Sequence, residues 1–169
     1  PPLEDVPMPL AFVPSFFVAS PNEDSASPPE AIDWKQTVEL PEFKEISSIV
    51  EWSIPQMALA IRKGLFSSEQ ATRFYLDRLK AANDKLLCVV SFNEQAIDAA
   101  IRMDEELKQG KDRGVLHGIP WGAKDIIAVP GMPTTWGVGS YEKREWQTPA
   151  TVYEKMENAG AVLLAKLSV

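Results

Sequence analysis

The stretch Leu116-His117-Gly118-Ile119-Pro120-Trp121-Gly122-Ala123-Lys124-Asp125-Ile126-Ile127 carries the residue best suited to chemistry in this chain. Lys124 lies among Gly122, Ala123 and Ile126, small or apolar neighbours that could take an ammonium out of water on a strand. Desolvation disfavours the charged form of a lysine and lowers its pKa. A lysine amine that has lost its proton is a competent general base. Successive residues of a strand face opposite sides, so Asp125 is expected to turn away and bind backbone or a loop. The plainer reading is an exposed, solvated Lys–Asp pair at a strand edge. Spacing alone leaves both open.

Other reactive residue types are few. Cys88, the only cysteine, lies in the apolar run Leu86-Leu87-Cys88-Val89-Val90 and reads as an inert core thiol. A lone cysteine permits no disulfide within the chain and no cysteine-based zinc cluster. His117 is the only histidine, and a structural hydrogen-bonding or packing role is expected of it. No G-x-S-x-G elbow is present. Gly137-Val138-Gly139-Ser140 lacks the spacing and the lysine of a phosphate loop. Asp104-Glu105-Glu106 reads as a solvated helix face, not as a carboxylate pair for acid–base work. Core packing is the expectation for Trp121 and Trp136, with pocket lining as the alternative. No metal or organic cofactor is implied.

These residues need a body to hold them, and composition allows one. The 169 residues are 45% hydrophobic and 24% charged, enough for an ordinary core. A net charge of −7 argues against a general nucleic-acid binder, which would carry a basic face. No stretch reaches the ~20 apolar residues of a membrane-spanning helix. The compartment stays open.

Residues 1–45 hold nine of the fourteen prolines and read as a proline-rich arm or linker, since proline fixes φ and removes a donor. Phe12, Phe16, Phe17, Trp34 and Phe43 suggest that parts of it pack on a body. From Ser53 the pattern turns helical, with Pro55 early and Met57, Leu59, Ala60 and Ile61 on an apolar side up to Gly64. Ser67 and Gln70 make a capping box for a second helix running to about Asn83. Leu86–Phe92 reads as a buried strand. A third helix, capped by Asn93, is expected to end at Gly110.

Between Gly114 and Ser140 lie six glycines and three prolines, a density that suits loops carrying function on a rigid body. A strand at about 121–127, a helix at 149–158 and a strand at 161–167 then compose a βαβ unit. The apolar closing strand wants neighbours on both sides, so the chain is expected to stop within a domain.

The order Leu116-x-Gly118-Ile119-Pro120-x-x-x-Lys124-Asp125, then Thr134-Thr135-x-Gly137, then Ala150-Thr151-Val152 with Ala159-Gly160-Ala161-Val162 and Lys166, resembles the opening half of the amidase signature family. The likeness covers roughly residues 54–169. Pro149, Ala165 and Ser168 depart from that pattern, where an aspartate, a glycine and an asparagine are usual. The resemblance implies an α/β fold with a mixed β-sheet flanked by helices, truncated before the serine-containing segment. It also implies a Ser–cis-Ser–Lys hydrolase that forms an acyl-enzyme from a carboxamide. The lysine role falls on Lys124, and both serines would lie beyond Val169.

Residues 46–169 are therefore expected to be the N-terminal part of such a domain, inactive alone, whose whole protein acts on a small-molecule amide. Two alternatives remain. One is the glutaminase subunit of a tRNA-dependent amidotransferase, which the proline-rich lead disfavours. The other is a catalytically dead fragment whose βαβ unit binds a partner. No nucleic acid or membrane partner is expected, and the oligomeric state is not legible.

Overall fold

A computed structural model describes residues 33–168, so Phe12, Phe16, Phe17 and most of the proline-rich segment lie outside the described residues. The short helix α1 (Trp34–Thr37) leads through extended chain to a 3-10 segment, Ile46–Glu51, and then to α2 (Ile54–Arg62). After α2 come α3 (Ser68–Leu86), β1 (Val89–Phe92), α4 (Ala96–Lys108), β2 (Pro120–Lys124), α5 (Thr151–Asn158) and β3 (Val162–Leu167).

Local chemistry starts the helices where the sequence indicates. Ser53 and Gln56 form a reciprocal capping box at α2, with Pro55 in the first turn. Ser67 and Gln70 do the same at α3: Gln70 N donates to Ser67 Oγ at 3.0 Å, and Ser67 N donates to Gln70 Oε1 at 2.9 Å. Asn93 differs from expectation. Its Oδ1 accepts from Gln95 N at 3.0 Å and its Nδ2 donates to the Leu163 carbonyl at 2.8 Å, so it ties a turn to β3 while α4 begins at Ala96.

The strand expected over 86–92 is also corrected. Helix α3 runs to Leu86, and Leu87 takes a left-handed φ of 48° to end it. Only Val89–Phe92 pairs, as an edge strand, which leaves Leu86 and Leu87 exposed. Cys88, expected in the core, is half-buried in the link between α3 and β1.

The sheet has the order β1-β3-β2. β2 and β3 are parallel, joined through α5 as the βαβ pattern requires, with Ala123 opposite Lys166 and Lys124 opposite Leu167. β1 pairs antiparallel to β3, making the sheet mixed. β3 is central, and Val162 through Lys166 are all buried. Leu76 of α3, Ala100 and Met103 of α4, and Val162 and Leu164 of β3 form one apolar cluster. Leu163 joins Ala123, Val129 and Met132, with Trp121 and Tyr153 packed against them. Val162 and Leu164 thus face one cluster and Leu163, between them, the other, as the pleat dictates.

A third cluster lies around α2, where Trp52, Met57, Ile61 and Phe66 pack with Trp34, Leu40 and Phe43 from the chain before it. The approach to β2 is set by Gly118. Its φ is +77°, its N–H donates to the Gly160 carbonyl at 2.8 Å, and a Cβ there would lie 3.0 Å from Ser68 Cβ. Only glycine adopts that conformation cheaply at such close approach.

Candidate active site

β2 ends with two ionisable side chains that part company. Lys124 is exposed, and among the described residues its ammonium makes no hydrogen bond or ion pair. Asp125 follows it and is fully buried, its N–H continuing the ladder to the Leu167 carbonyl at 2.8 Å. Alternation along the strand accounts for the separation. The sequence expectation for Asp125 is met, because its carboxylate goes to a loop. The expectation that neighbouring residues would desolvate Lys124 is not: Ile126 is 52% exposed, and nothing in the described chain covers the amine.

The Asp125 carboxylate is the centre of a compact polar node. Its Oδ2 accepts from Thr135 N at 3.0 Å and also from the Thr135 hydroxyl. Its Oδ1 lies 3.1 Å from Lys166 Nζ, an ion pair in which both side chains have 0% exposure. Lys166 spends two donors on the Pro133 carbonyl at 3.0 Å and Thr134 Oγ1 at 2.9 Å. That leaves the third N–H of the ammonium for Asp125, whose Oδ1 it meets at ion-pair distance. Burial pushes the Lys166 ammonium below the usual lysine range, and Asp125 opposes that push.

The node anchors the loop after β2 at its narrowest point. Thr134 N donates to the Arg144 carbonyl at 2.8 Å, and Pro133 bridges Glu145 in an antiparallel contact. Between these crossings the chain makes an excursion, and Thr135 Oγ1 accepts from Gly137 N at 3.1 Å. Trp136 has φ +55°, an uncommon conformation for a bulky residue. It is 45% exposed, which overturns the core-packing expectation; its ring instead stacks on Trp146 at 6.2 Å. The Arg144 guanidinium sits 4.8, 4.7 and 4.2 Å from the ring centres of Trp136, Tyr141 and Trp146. Trp121, by contrast, packs against the cluster beneath the sheet.

The remaining candidates have structural surroundings. His117 is fully buried: Nδ1 accepts from Arg113 N at 3.1 Å, and Nε2 lies 2.9 Å from the Met103 carbonyl. Those partners fix a neutral tautomer with Nε2–H as donor. The acidic run on α4 is more than a solvated face. Asp104 accepts from Ser68 N at 2.8 Å and Glu69 N at 3.0 Å, capping α3 from a neighbouring helix. Glu106 pairs with Arg113 and Lys111, and Arg113 above all holds its carboxyl down at about 2. Among the described residues no group of three or more His, Cys, Asp or Glu side chains is arranged to hold a metal. No helix among them is long and apolar enough to cross a membrane.

Sequence reasoning gave Lys166 no role beyond its place in a pattern. The available signal was a lysine inside Val-Leu-Leu-Ala-Lys-Leu, since a cation in an apolar central strand must have a buried partner.

A family profile described as Amidase matches residues 70–169. A glutamyl-tRNA(Gln) amidotransferase subunit from Lachnospira eligens is 30% identical over 123 residues, which are 72% of this chain and 26% of that protein. Indoleacetamide hydrolase of Bradyrhizobium diazoefficiens is 31% identical over 115 residues, 68% of this chain and 22% of that protein. The structure of native peptide amidase from Stenotrophomonas maltophilia superposes with a TM-score of 0.68 at 30% identity, over 70% of this chain and 25% of that one. The chain thus spans about a quarter of the length of the relatives it matches.

Proposed function

The chain belongs to the amidase family, and from that premise we propose that its whole protein hydrolyses a carboxamide C–N bond with Lys124 as the terminal base. In the Ser–cis-Ser–Lys arrangement that the resemblance implies, a serine oxygen bonds to the amide carbonyl carbon. Its proton passes through the second serine to the Lys124 amine. Collapse of the tetrahedral intermediate breaks the C–N bond, and the nitrogen leaves with a proton returned along the same path. Water then attacks the acyl-enzyme, with Lys124 again taking the proton.

One observation carries this reading: Lys124 projects from the end of β2 without an ion-pair partner among the described residues, while Asp125 is engaged elsewhere. A lysine held by an adjacent carboxylate would keep its proton. Here the only neighbouring carboxylate along the strand is already occupied by Lys166 and Thr135. Lys124 is open to a segment that would cover it and supply the serines, and that cover would provide the desolvation which the described residues do not.

The test is Lys124→Ala in the full-length protein, assayed on indoleacetamide, a peptide amide and glutamine. Loss of general-base catalysis predicts a fall in turnover of about 10²–10⁴-fold or more. Turnover retained within tenfold on the preferred amide refutes the role.

The amidotransferase reading draws support from relatives such as the Lachnospira eligens protein, which is as similar as the hydrolases. The same assay separates the two. Glutamine as the preferred amide, with turnover stimulated by partner subunits, favours the amidotransferase. Preference for indoleacetamide or a peptide amide favours the stand-alone hydrolase.

A further inference from the structure

Lys166 is the largest fully buried side chain among the described residues, and it is a cation on the central strand of the sheet. In register it lies opposite Ala123, one residue before the proposed base. Its ammonium touches Asp125 at 3.1 Å, one residue after that base, and reaches across to Pro133 and Thr134. Asp125 in turn holds the Thr135 backbone and hydroxyl. One buried ammonium therefore ties three things together: β3, the end of β2 and the neck of the glycine-rich loop.

An apolar residue at position 166 would suit a central strand and avoid the cost of burying a charge. What it could not do is fix two loop acceptors and a carboxylate at once, with the directional donors an ammonium supplies. We infer that Lys166 is a positioning residue for the amide-cleaving reaction, holding the Lys124 end of β2 and the 133–137 loop in reactive register through Asp125 and Thr134. This deepens the proposed function and rests on Lys124 being the base.

The geometry makes a specific demand. Asp125 is bonded covalently to Lys124, so any shift of the carboxylate moves the Cα from which the base extends. The exposed Lys124 side chain has no other anchor among the described residues. A displacement of about 1 Å at a reacting group costs about 10²-fold in rate. Because the node lies behind the strand, substrate binding should be much less affected, so the loss belongs in kcat.

The experiment compares full-length wild type with Lys166→Met, the double variant Lys166→Met/Asp125→Asn, and Lys124→Ala, on whichever amide the wild type turns over best. Lys166→Met strands the Asp125 carboxylate and can fail to fold. The double variant removes both charges at near-constant shape, so that no unpaired charge is left buried. The expected result in whichever variant folds is a fall in kcat of about 10²-fold with KM held within about threefold, the signature of an interaction that matters only in the transition state. A folded Lys166→Met or double variant with wild-type kcat overturns the inference and leaves the base assignment standing. An equal loss spread over KM overturns it too, since that marks general distortion of the binding surface. Turnover retained by Lys124→Ala removes the premise, a result read from a different protein sample.

Discussion

Replacing His117 with phenylalanine separates a structural histidine from a catalytic one. The ring is fully buried between α4 and the turn before β2, and both nitrogens are used. Phenylalanine keeps a planar ring of similar size and abolishes both hydrogen bonds. The part-buried Arg113 N–H loses its acceptor at 3.1 Å, an orphaned donor that costs about 1–3 kcal/mol. The Met103 carbonyl belongs to α4 and keeps its bond along the helix, so its loss is about 0.5–1.5 kcal/mol. The sum, about 1.5–4.5 kcal/mol, is a large share of a typical domain's stability. Urea unfolding of the full-length protein should show a midpoint lower by about 1–2 M with an unchanged slope. Activity per folded molecule should stay within about threefold, because the histidine bonds only backbone groups. Unchanged stability combined with a collapse of kcat would refute the argument and make His117 part of the chemistry.

Three further outcomes follow from other contacts. Asp104→Ala should destabilise the protein by about 1–2 kcal/mol, since it leaves the first N–H groups of α3 without their acceptor; thermal unfolding measures it. Glu106 has its carboxyl pKa lowered from 4.5 to about 2, chiefly by the Arg113 hydrogen bond, so its pairing stabilises the fold above its unfolded pKa. That contribution is lost as pH falls from 4.5 toward about 2, and the stability gap between wild type and Glu106→Gln should therefore narrow over that window in acid titration. Gly118→Ala forces a Cβ to within 3.0 Å of Ser68 and a side chain into a φ of +77°. A loss of at least about 1–2 kcal/mol is expected, measured by urea unfolding.

The helices were the most legible part of the fold because their signals are local. Ser53 with Pro55, the Ser67…Gln70 capping box and the breaks at Gly64 and Gly110 mark α2, α3 and α4 within a few residues. The stretch Leu86–Phe92 misled because an apolar run does not distinguish a helix end from a buried strand. Whether Leu87 turns left-handed or extends depends on where β1 meets β3, which lies 75 residues and more further along the chain. Trp136 misled for a related reason: an indole carries no record of whether its partners are core side chains or the Arg144 guanidinium.

The sequence alone determined the order of the motif blocks and the βαβ connectivity, because residue type and short-range periodicity are written in the chain; the proposal of Lys124 rests on the resemblance those blocks carry. Only the tertiary structure decided where charges go. It paired Asp125 with Lys166, 41 positions away, and left Lys124 open. It also turned Asp104 from a surface acid into the cap of another helix. Strand alternation says only that Asp125 leaves Lys124. Which cation meets it is set by parallel pairing of β2 with β3, a long-range contact whose register comes from packing the whole sheet.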